Sequence, residues 1–549
     1  MSLITINQVN CKDCYKCVRY CPVKAIRVAN GRAEVVDERC LGDGSCLKIC
    51  PQRAKQARAD LPAVRALLAN GRPVIASVAP AALGVFGDEL PRIIGALKAL
   101  GFSRVEETAR TAEAVARATA ACAMQDGPTI TTACPAIVAL VQTYYPQYAR
   151  LLAPVPSPMV AHARLLREEH GDAAVIFIGP CIAKKSEAGG GEIDAAITFD
   201  ELRQWLLEEG IPPEAESTFD NPPVGVSQLY PLPNGLVHSA GLPTDLLASE
   251  IVAVHGIAET MALLEELPKL RDIRLVEALA CQGGCLQGPG AVDGPTVLER
   301  RGLLLRLAQR EGDGGAPADM TAPYPAAPLE LPIPDDGELT AILRRSGKIA
   351  LEDEQNCGAC GYDTCRAKAI AVFQGMAEAE MCIPYMRSRA ESFANVVLRS
   401  TPNGIVVVDG ALRILDANPA FAKIFGRKIS ELIGRPVRTI LEPAGYEYVQ
   451  RNGRHFVRQE MAYDNVIVRE SIFPVRDEEI IIGLYVDVTE DVARRQQLQT
   501  VKQETLGKAR QVIDKQMRVA QEIAGLLGET TAETKVLLTR LIKLYDEGE

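Results

Sequence analysis

Glu277-Ala278-Leu279-Ala280-Cys281-Gln282-Gly283-Gly284-Cys285 is an apolar run that ends in two cysteines held apart by a glycine pair. Glycines at that place let the backbone press close to a bulky inorganic group. Two more loops carry a cysteine in a similar setting, Thr131-Thr132-Ala133-Cys134-Pro135 and Gly179-Pro180-Cys181-Ile182-Ala183-Lys184. Taken singly, each cysteine reads as a small buried hydrophobe. Together they offer four thiolates from segments that flank apolar runs. Around them, from 59 to 308, strand-like runs (73–78, 173–178 and 236–238) alternate with amphipathic helical stretches such as 88–100. That alternation predicts an α/β domain.

The whole chain, 549 residues, is too long for one core and predicts several domains. With 47% hydrophobic and 24% charged residues, wholesale disorder is excluded. A net charge of −10 argues against nucleic acid as a partner. The longest apolar stretch, 74–86, carries Pro80 and is too short to span a bilayer. The first residues lack the apolar segment and basic leader of a signal peptide. The expectation is a soluble, cytoplasmic protein with neither a membrane nor nucleic acid as partner. Of the sixteen cysteines, only Cys122 stands outside four groups, and it reads as a core residue. Thiols kept reduced in the cytosol do not pair. With histidine absent near most groups, iron–sulfur is favoured over mixed Cys/His zinc.

The first group is Cys11, Cys14, Cys17 and Cys21 followed by Pro22, the C-x2-C-x2-C-x3-C-P run. The same spacing returns in Cys40, Asp43, Cys46, Cys50 and Pro51, with Asp43 at the second cysteine's place. Residues 1–58 resemble a two-cluster ferredoxin domain. The fourth cysteine of each run then serves the other cluster. Cys11, Cys14, Cys17 and Cys50 would hold one [4Fe–4S] cluster; Cys40, Asp43, Cys46 and Cys21 would hold the second. Asp43 is a harder oxygen ligand. It either completes a cubane, leaves a [3Fe–4S] cluster, or is a loop residue beside a degenerate site.

The three central loops resemble the signature loops of [FeFe]-hydrogenases, T-S-C-C-P, P-C-x-x-K and E-x-M-x-C-x-x-G-C. The likeness spans 59–308 and includes Ala79-Pro80 and Ser157-Pro158. It implies that Cys134, Cys181, Cys281 and Cys285 hold the [4Fe–4S] part of the H-cluster. Cys285 would bridge to a two-iron subcluster with CO, cyanide and dithiolate ligands, and Lys184 would donate to a cyanide. Catalytic roles fall on Cys285, Lys184 and Glu187, with Ser186-Glu187 matching the inner pair of the family's proton path. The departures are as informative. Ala133 stands where that path has its cysteine, and Ala153 where it has a serine. Ala81 replaces a serine beside the second cyanide, and Gly179 and Leu279 replace two methionines. Alanine carries no side-chain proton, and losing a positioned acid–base step costs about 100- to 10,000-fold in rate.

Residues 309–336 are rich in glycine, proline and alanine and read as a linker. Within 337–388, Cys357, Cys360, Cys365 and Cys382 form C-x2-C-x4-C-x16-C, with a helix expected over 367–380. This resembles the small four-cysteine [4Fe–4S] domain of electron-transfer and corrinoid proteins, with zinc as the alternative. From 392 to 490 the chain resembles a PAS domain, with the turn Asp416-Ala417-Asn418-Pro419-Ala420-Phe421, Asn418 as a helix cap and Asp487-Val488-Thr489 leading into a helix. No cysteine there offers flavin adduct chemistry, and His455 reads as an ordinary surface or core histidine. The tail, 491–549, is expected to be helical, with Leu506, Ala509, Ile513, Ala520, Ile523 and Leu527 at heptad-compatible spacing and a break at Gly528. Its apolar seam packs on its own PAS domain, or on a partner or second copy in a homodimer.

The fold class is therefore multidomain α+β and α/β. The leading functional expectation is a sensory [FeFe]-hydrogenase, an H2:acceptor oxidoreductase of low activity. It would bind or slowly turn over H2 (2H⁺ + 2e⁻ ⇌ H2) and pass its redox state through the clusters to the PAS domain and a signalling partner. The alternatives are a catalytic hydrogenase exchanging electrons with ferredoxin, and an iron–sulfur redox or O2 sensor without the two-iron subcluster.

Overall fold

The computed structural model describes residues 2–123, 128–188, 191–210, 216–245, 249–312, 314–475, 479–527 and 531–546. Gly528, expected to break the tail, lies outside them. The chain divides into two units, Met1–Met386 and Arg387–Glu549.

The first unit begins with a module of two similar halves. Strand Ile4–Ile6 pairs antiparallel with Lys55–Ala57, and a hairpin joins Ile26–Ala29 to Arg32–Val35. Each half contributes a one-turn helix, Lys16–Tyr20 and Ser45–Ile49, entered through a left-handed residue, Tyr15 and Gly44. Such entries turn the chain sharply enough for closely spaced cysteines to face inward.

Next come two parallel sheets. One has the order Arg104–Glu107, Val74–Val78, Ala174–Gly179 and Ala195–Thr198. The other has the order Ile251–His255, Leu275–Leu279 and Thr129–Ile130. Strands Val74–Val78, Ala174–Gly179, Ala195–Thr198 and Leu275–Leu279 are buried throughout, as strands covered on both faces must be, hence their unbroken apolar runs. The helices are those an α/β crossover needs, among them Leu90–Ala99, Pro135–Tyr144, Pro158–His170 and Phe199–Glu208. All the cysteine loops leave the carboxyl ends of parallel strands: Cys134 after Thr129–Ile130, Cys181 after Ala174–Gly179, Cys281 after Leu275–Leu279. That edge is where open α/β sheets bind ligands.

Two local expectations are corrected, and the linker shows a further feature. Residues 236–238 belong to a helix, Gly235–Ser239, not a strand. The run is too short for periodicity to decide, and the buried Glu277 carboxylate accepts from Val237 N at 3.2 Å, which favours the helical turn. The helix expected over 367–380 stops at Phe373, because Gly375 takes a left-handed φ of 69°, and a 3-10 turn Ala379–Met381 follows. Residues 314–335 form no helix or strand, yet they are strapped to the central domain. Ala322 N donates to Pro154 O, Ala327 N to Gln142 O and Leu329 N to Thr143 O, while Arg164 holds the carbonyls of Asp319 and Thr321.

The second unit holds a five-stranded antiparallel sheet ordered Ile414–Ala417, Gly404–Asp409, Ile480–Asp487, Val466–Pro474 and Phe456–Tyr463. Asn418 caps helix Pro419–Ile424 by accepting from Phe421 N at 2.9 Å, and its amide donates to Leu398 O and Asn403 O. Between sheet and helices the interior is filled by Phe421, Phe425, Tyr463 and Tyr485, mostly edge to face, and by the Tyr446–Tyr485 hydroxyl pair at 2.9 Å. Helices Thr489–Leu527 and Thr531–Asp546 follow. On the first, Leu498, Val501, Val512, Val519 and Ile523 are exposed.

Candidate functional site

Loops from the two parallel sheets enclose a cavity of about 90 Å³. Cys134, Cys181, Cys285 and Lys184 line it, in walls that are mostly apolar, among them Ala81, Ala133, Met159, Phe177 and Leu279, with Thr108 and Tyr230 as further polar members. Cys281 lies behind, within electrostatic reach of Cys181, Cys285 and Cys134. Four thiols from three distant loops thus meet in one dry place. Burial, reinforced by the neighbouring thiols, pushes Cys181 up to about 12 and drives Cys281 and Cys285 well above the ordinary thiol range. Buried thiols packed this closely become thiolates together only against a strong cationic acceptor, which iron supplies. The donor set fits an iron–sulfur cluster on that ground.

Two further observations agree. Gly284 has φ 88°, and a Cβ there would meet Pro231 O at 2.3 Å, so the backbone closes down beside Cys285. The Tyr230 hydroxyl borders the cavity and is buried without a hydrogen-bond partner among the described residues. Among the described residues, no three His, Cys, Asp or Glu side chains are close enough to hold a single metal ion. A cubane takes each thiolate on a different iron and spreads its ligands wider than one ion does.

Lys184 Nζ donates to Glu187 Oε2 at 2.7 Å, and Ser157 Oγ donates to the same oxygen at 3.1 Å. Ser186, expected to stand in line with Glu187, turns back instead and donates to Ala183 O at 2.7 Å. Its place beside Glu187 is taken by Ser157. Ala133 offers the cavity only a methyl group, and Ala153 is buried with its carbonyl accepting from Thr132 Oγ1 at 3.2 Å.

In the N-terminal module, Asp43 acts on Cys21, Cys40 and Cys46, raising all three after burial has done so, Cys21 to about 12. The fourth cysteine of the first run therefore faces the second set. Asp43 Oδ2 accepts from the Ser45 amide at 3.2 Å and from the Ser45 hydroxyl. Cys21 Sγ accepts from Ala25 N at 3.2 Å and Cys50 Sγ from Ala54 N at 3.3 Å, the same bond in each half. Cys14 is exposed, and Cys11 adds its charge to Cys17. Cys122 is half-buried beside Val115 and Ala153.

Cys357, Cys360, Cys365 and Cys382 surround one small cavity. Lys368, its pKa lowered by burial, donates to Ala379 O at 2.8 Å within reach of three of these thiols. This site is docked on the N-terminal module: Arg19 donates to Ala359 O, Lys24 to Gly361 O and Val28 N to Met376 O. On the module's other side, Asp43 and Cys281 border one groove, in which Lys48 donates to Gln287 O. The four-cysteine site, the N-terminal cysteines and the central cavity therefore follow one another through the first unit. Residue-by-residue reading passed over Glu107 and Glu277, both raised to about 7 by burial, and Tyr230. Their burial is a tertiary property without a local signature.

An α/β domain with this cysteine set at its strand ends is suited to holding an iron–sulfur cluster. Residues 72–289 match the iron only hydrogenase large subunit, C-terminal domain. Residues 3–51 match a 4Fe-4S dicluster domain, 354–384 a putative Fe-S cluster domain and 402–490 a PAS domain. The chain is 22% identical over 339 residues to the NADP-reducing hydrogenase subunit HndD of Solidesulfovibrio fructosivorans, covering 47% of this chain and 56% of that one. It is 22% identical over 369 residues to iron hydrogenase 1 of Clostridium pasteurianum, covering 52% and 64%. It thus spans less than two thirds of either relative. A solved variant of the [FeFe]-hydrogenase HydA1 from Chlamydomonas reinhardtii aligns with 50% of this chain and 100% of its own, at 18% identity and a TM-score of 0.40. The chain carries an iron-only hydrogenase domain joined to iron–sulfur modules and a PAS domain. Among the described residues, no helix is long and apolar enough to cross a membrane.

Proposed function

We propose that this protein is a sensory [FeFe]-hydrogenase, which binds or slowly turns over H2 and reports the outcome to its PAS domain. One observation carries the reading: Cys134, Cys181, Cys281 and Cys285 are brought together while Ala133 at the cavity and the buried Ala153 offer only methyl groups where the resembled proton path has a cysteine and a serine. The four thiolates would hold the cubane of an H-cluster, with Cys285 shared with a two-iron subcluster carrying CO, cyanide and dithiolate ligands. When bound, that group supplies the splitting of H2 into two protons and two electrons. The chain's own part is to exclude water with apolar walls and to hold the Lys184 ammonium at the cavity, where Glu187 and Ser157 fix it. The N-terminal clusters would receive electrons through the Cys281–Asp43 groove. The second of them is held by Cys21, Cys40, Asp43 and Cys46, with three irons or four. The 357–382 cluster is the outermost. A redox partner such as ferredoxin and a signalling protein engaged by the PAS domain and tail complete the proposal.

The test is infrared spectroscopy of the full chain after maturation. Bands of CO and cyanide ligands, with H2 evolution far below that of catalytic hydrogenases, are the expected result. Bands with fast evolution would point to a ferredoxin-linked catalyst. No bands despite a competent maturase would point to an iron–sulfur sensor without the two-iron unit.

A further inference from the structure

The central domain buries a line of polar side chains that the cysteine sites do not use. It starts at the cavity wall with Thr108. Thr108 Oγ1 lies 2.8 Å from Ser77 Oγ, and Ser77 Oγ lies 2.8 Å from His162 Nδ1. His162 Nε2 is 3.5 Å from Glu106 Oε2, and Glu106 Oε1 is 3.8 Å from His170 Nε2. Ser77, His162 and Glu106 are wholly buried, whereas the side chain of His170 is 28% exposed. The line thus runs from the cavity to the surface, on the 3-10 turn Thr108–Thr111, two neighbouring strands and one face of helix Pro158–His170.

We propose that Thr108, Ser77, His162, Glu106 and His170 form a proton relay that replaces the route closed by Ala133 and Ala153. This rests on the functional reading above, since H2 supplies the protons.

Three features favour a relay over a structural network. Groups of matching shape without polar atoms would fill the same space at no loss of stability, yet five polar residues are kept in line. The nitrogens of His162 and His170 that face Glu106 stand 3.5 and 3.8 Å from its oxygens, so each junction is long but still electrostatically coupled, and His170 Nε2 lies equally 3.8 Å from Glu169 Oε2. The charges around the line suit a neutral imidazole. Burial lowers the His162 pKa despite Glu106. Burial raises that of Glu106, but His162, Arg104 and Arg110 together outweigh it and hold it near 2. The charged groups that surround the line are Arg104, Arg110 and Glu169.

The transfer balances. As H2 is split, its electrons leave through the iron–sulfur sites and a proton enters at Thr108. Each hydroxyl accepts one proton and passes on its own. His162 takes a proton at Nδ1 and releases the one at Nε2 to Glu106, from which it reaches His170 and water. Glu106, a strongly acidic carboxylate, is a reluctant carrier, which suits slow turnover.

The test uses the full chain, matured and unmatured. In the matured protein, Thr108→Val and Ser77→Ala should each slow exchange of D2 with water by about 100-fold, with unchanged CO and cyanide bands and unchanged cluster reduction by dithionite. Thr108→Ser should restore the rate. Nitrogen NMR of the unmatured chain should find His162 neutral with its proton on Nε2. Exchange within twofold of the wild type in both variants, bands intact, overturns the relay and leaves the hydrogenase reading standing. A proton on Nδ1 overturns it as well, whether or not the chain can be matured. Missing bands in the wild type overturn the hydrogenase reading, and the relay falls with it.

Discussion

The central domain is built on parallel strands buried on both faces and the PAS domain on antiparallel strands of alternating burial, and their interiors end up opposite. At the cysteine loops Ala79, Ala81, Ala109, Ala112 and Ala133 leave room beside larger neighbours, and polar groups are left in want of something: the thiols of Cys181, Cys281 and Cys285, raised by burial, and a partnerless Tyr230 hydroxyl. In the PAS domain, Phe421, Phe425, Tyr463 and Tyr485 occupy the interior, and Tyr446 and Tyr485 satisfy one another. One interior is shaped around a guest, the other around itself. The PAS interior is occupied by its own rings, whereas the thiol-lined cavity of the other unit offers room for a bound group.

The comparison breaks most sharply if a ligand cysteine is dispensable. Cys281→Ala should abolish the central cluster and with it every CO and cyanide band, while the PAS unfolding transition in urea stays where it was. Ala133→Cys probes the small wall from the other side. Restoring a thiol should raise H2 turnover by about 100- to 10,000-fold, and an unchanged rate means protons already have another way out. On the PAS side, Phe421→Ala should cost about 3–5 kcal/mol in urea unfolding, because Phe421 is fully buried; a small loss would mean the interior is looser than described. Tyr446→Phe should cost about 1–3 kcal/mol, since it leaves the Tyr485 hydroxyl buried and unmatched. Adding Tyr485→Phe should recover part of that loss, which a double-mutant cycle measures.

Much of the candidate site was legible because cysteine spacing is local. The crossing of Cys21 to the set of Cys40, Asp43 and Cys46 followed from the repeat, and the three central loops announced themselves one by one. The fold was legible where runs were long, as at Val74–Val78 and Ala174–Gly179. It failed at 236–238, where three apolar residues carry no period, and at Gly375, where one glycine ended a helix that the composition would have continued. The line from Thr108 to His170 was invisible for a different reason. Its members lie on two strands, a 3-10 turn and a helix, each an ordinary polar residue in its own segment, and only the packing of helix on sheet makes them neighbours.

The strap between the central domain and the four-cysteine site has a mechanical meaning. Because 314–329 is tied down at Pro154, Gln142, Thr143 and Arg164, and the far site is itself held by Arg19 and Lys24, that cluster is no tethered shuttle. Its hops should be insensitive to viscosity, fixed by distance alone, and clipping the strap with a protease should leave the outer cluster seated where it was.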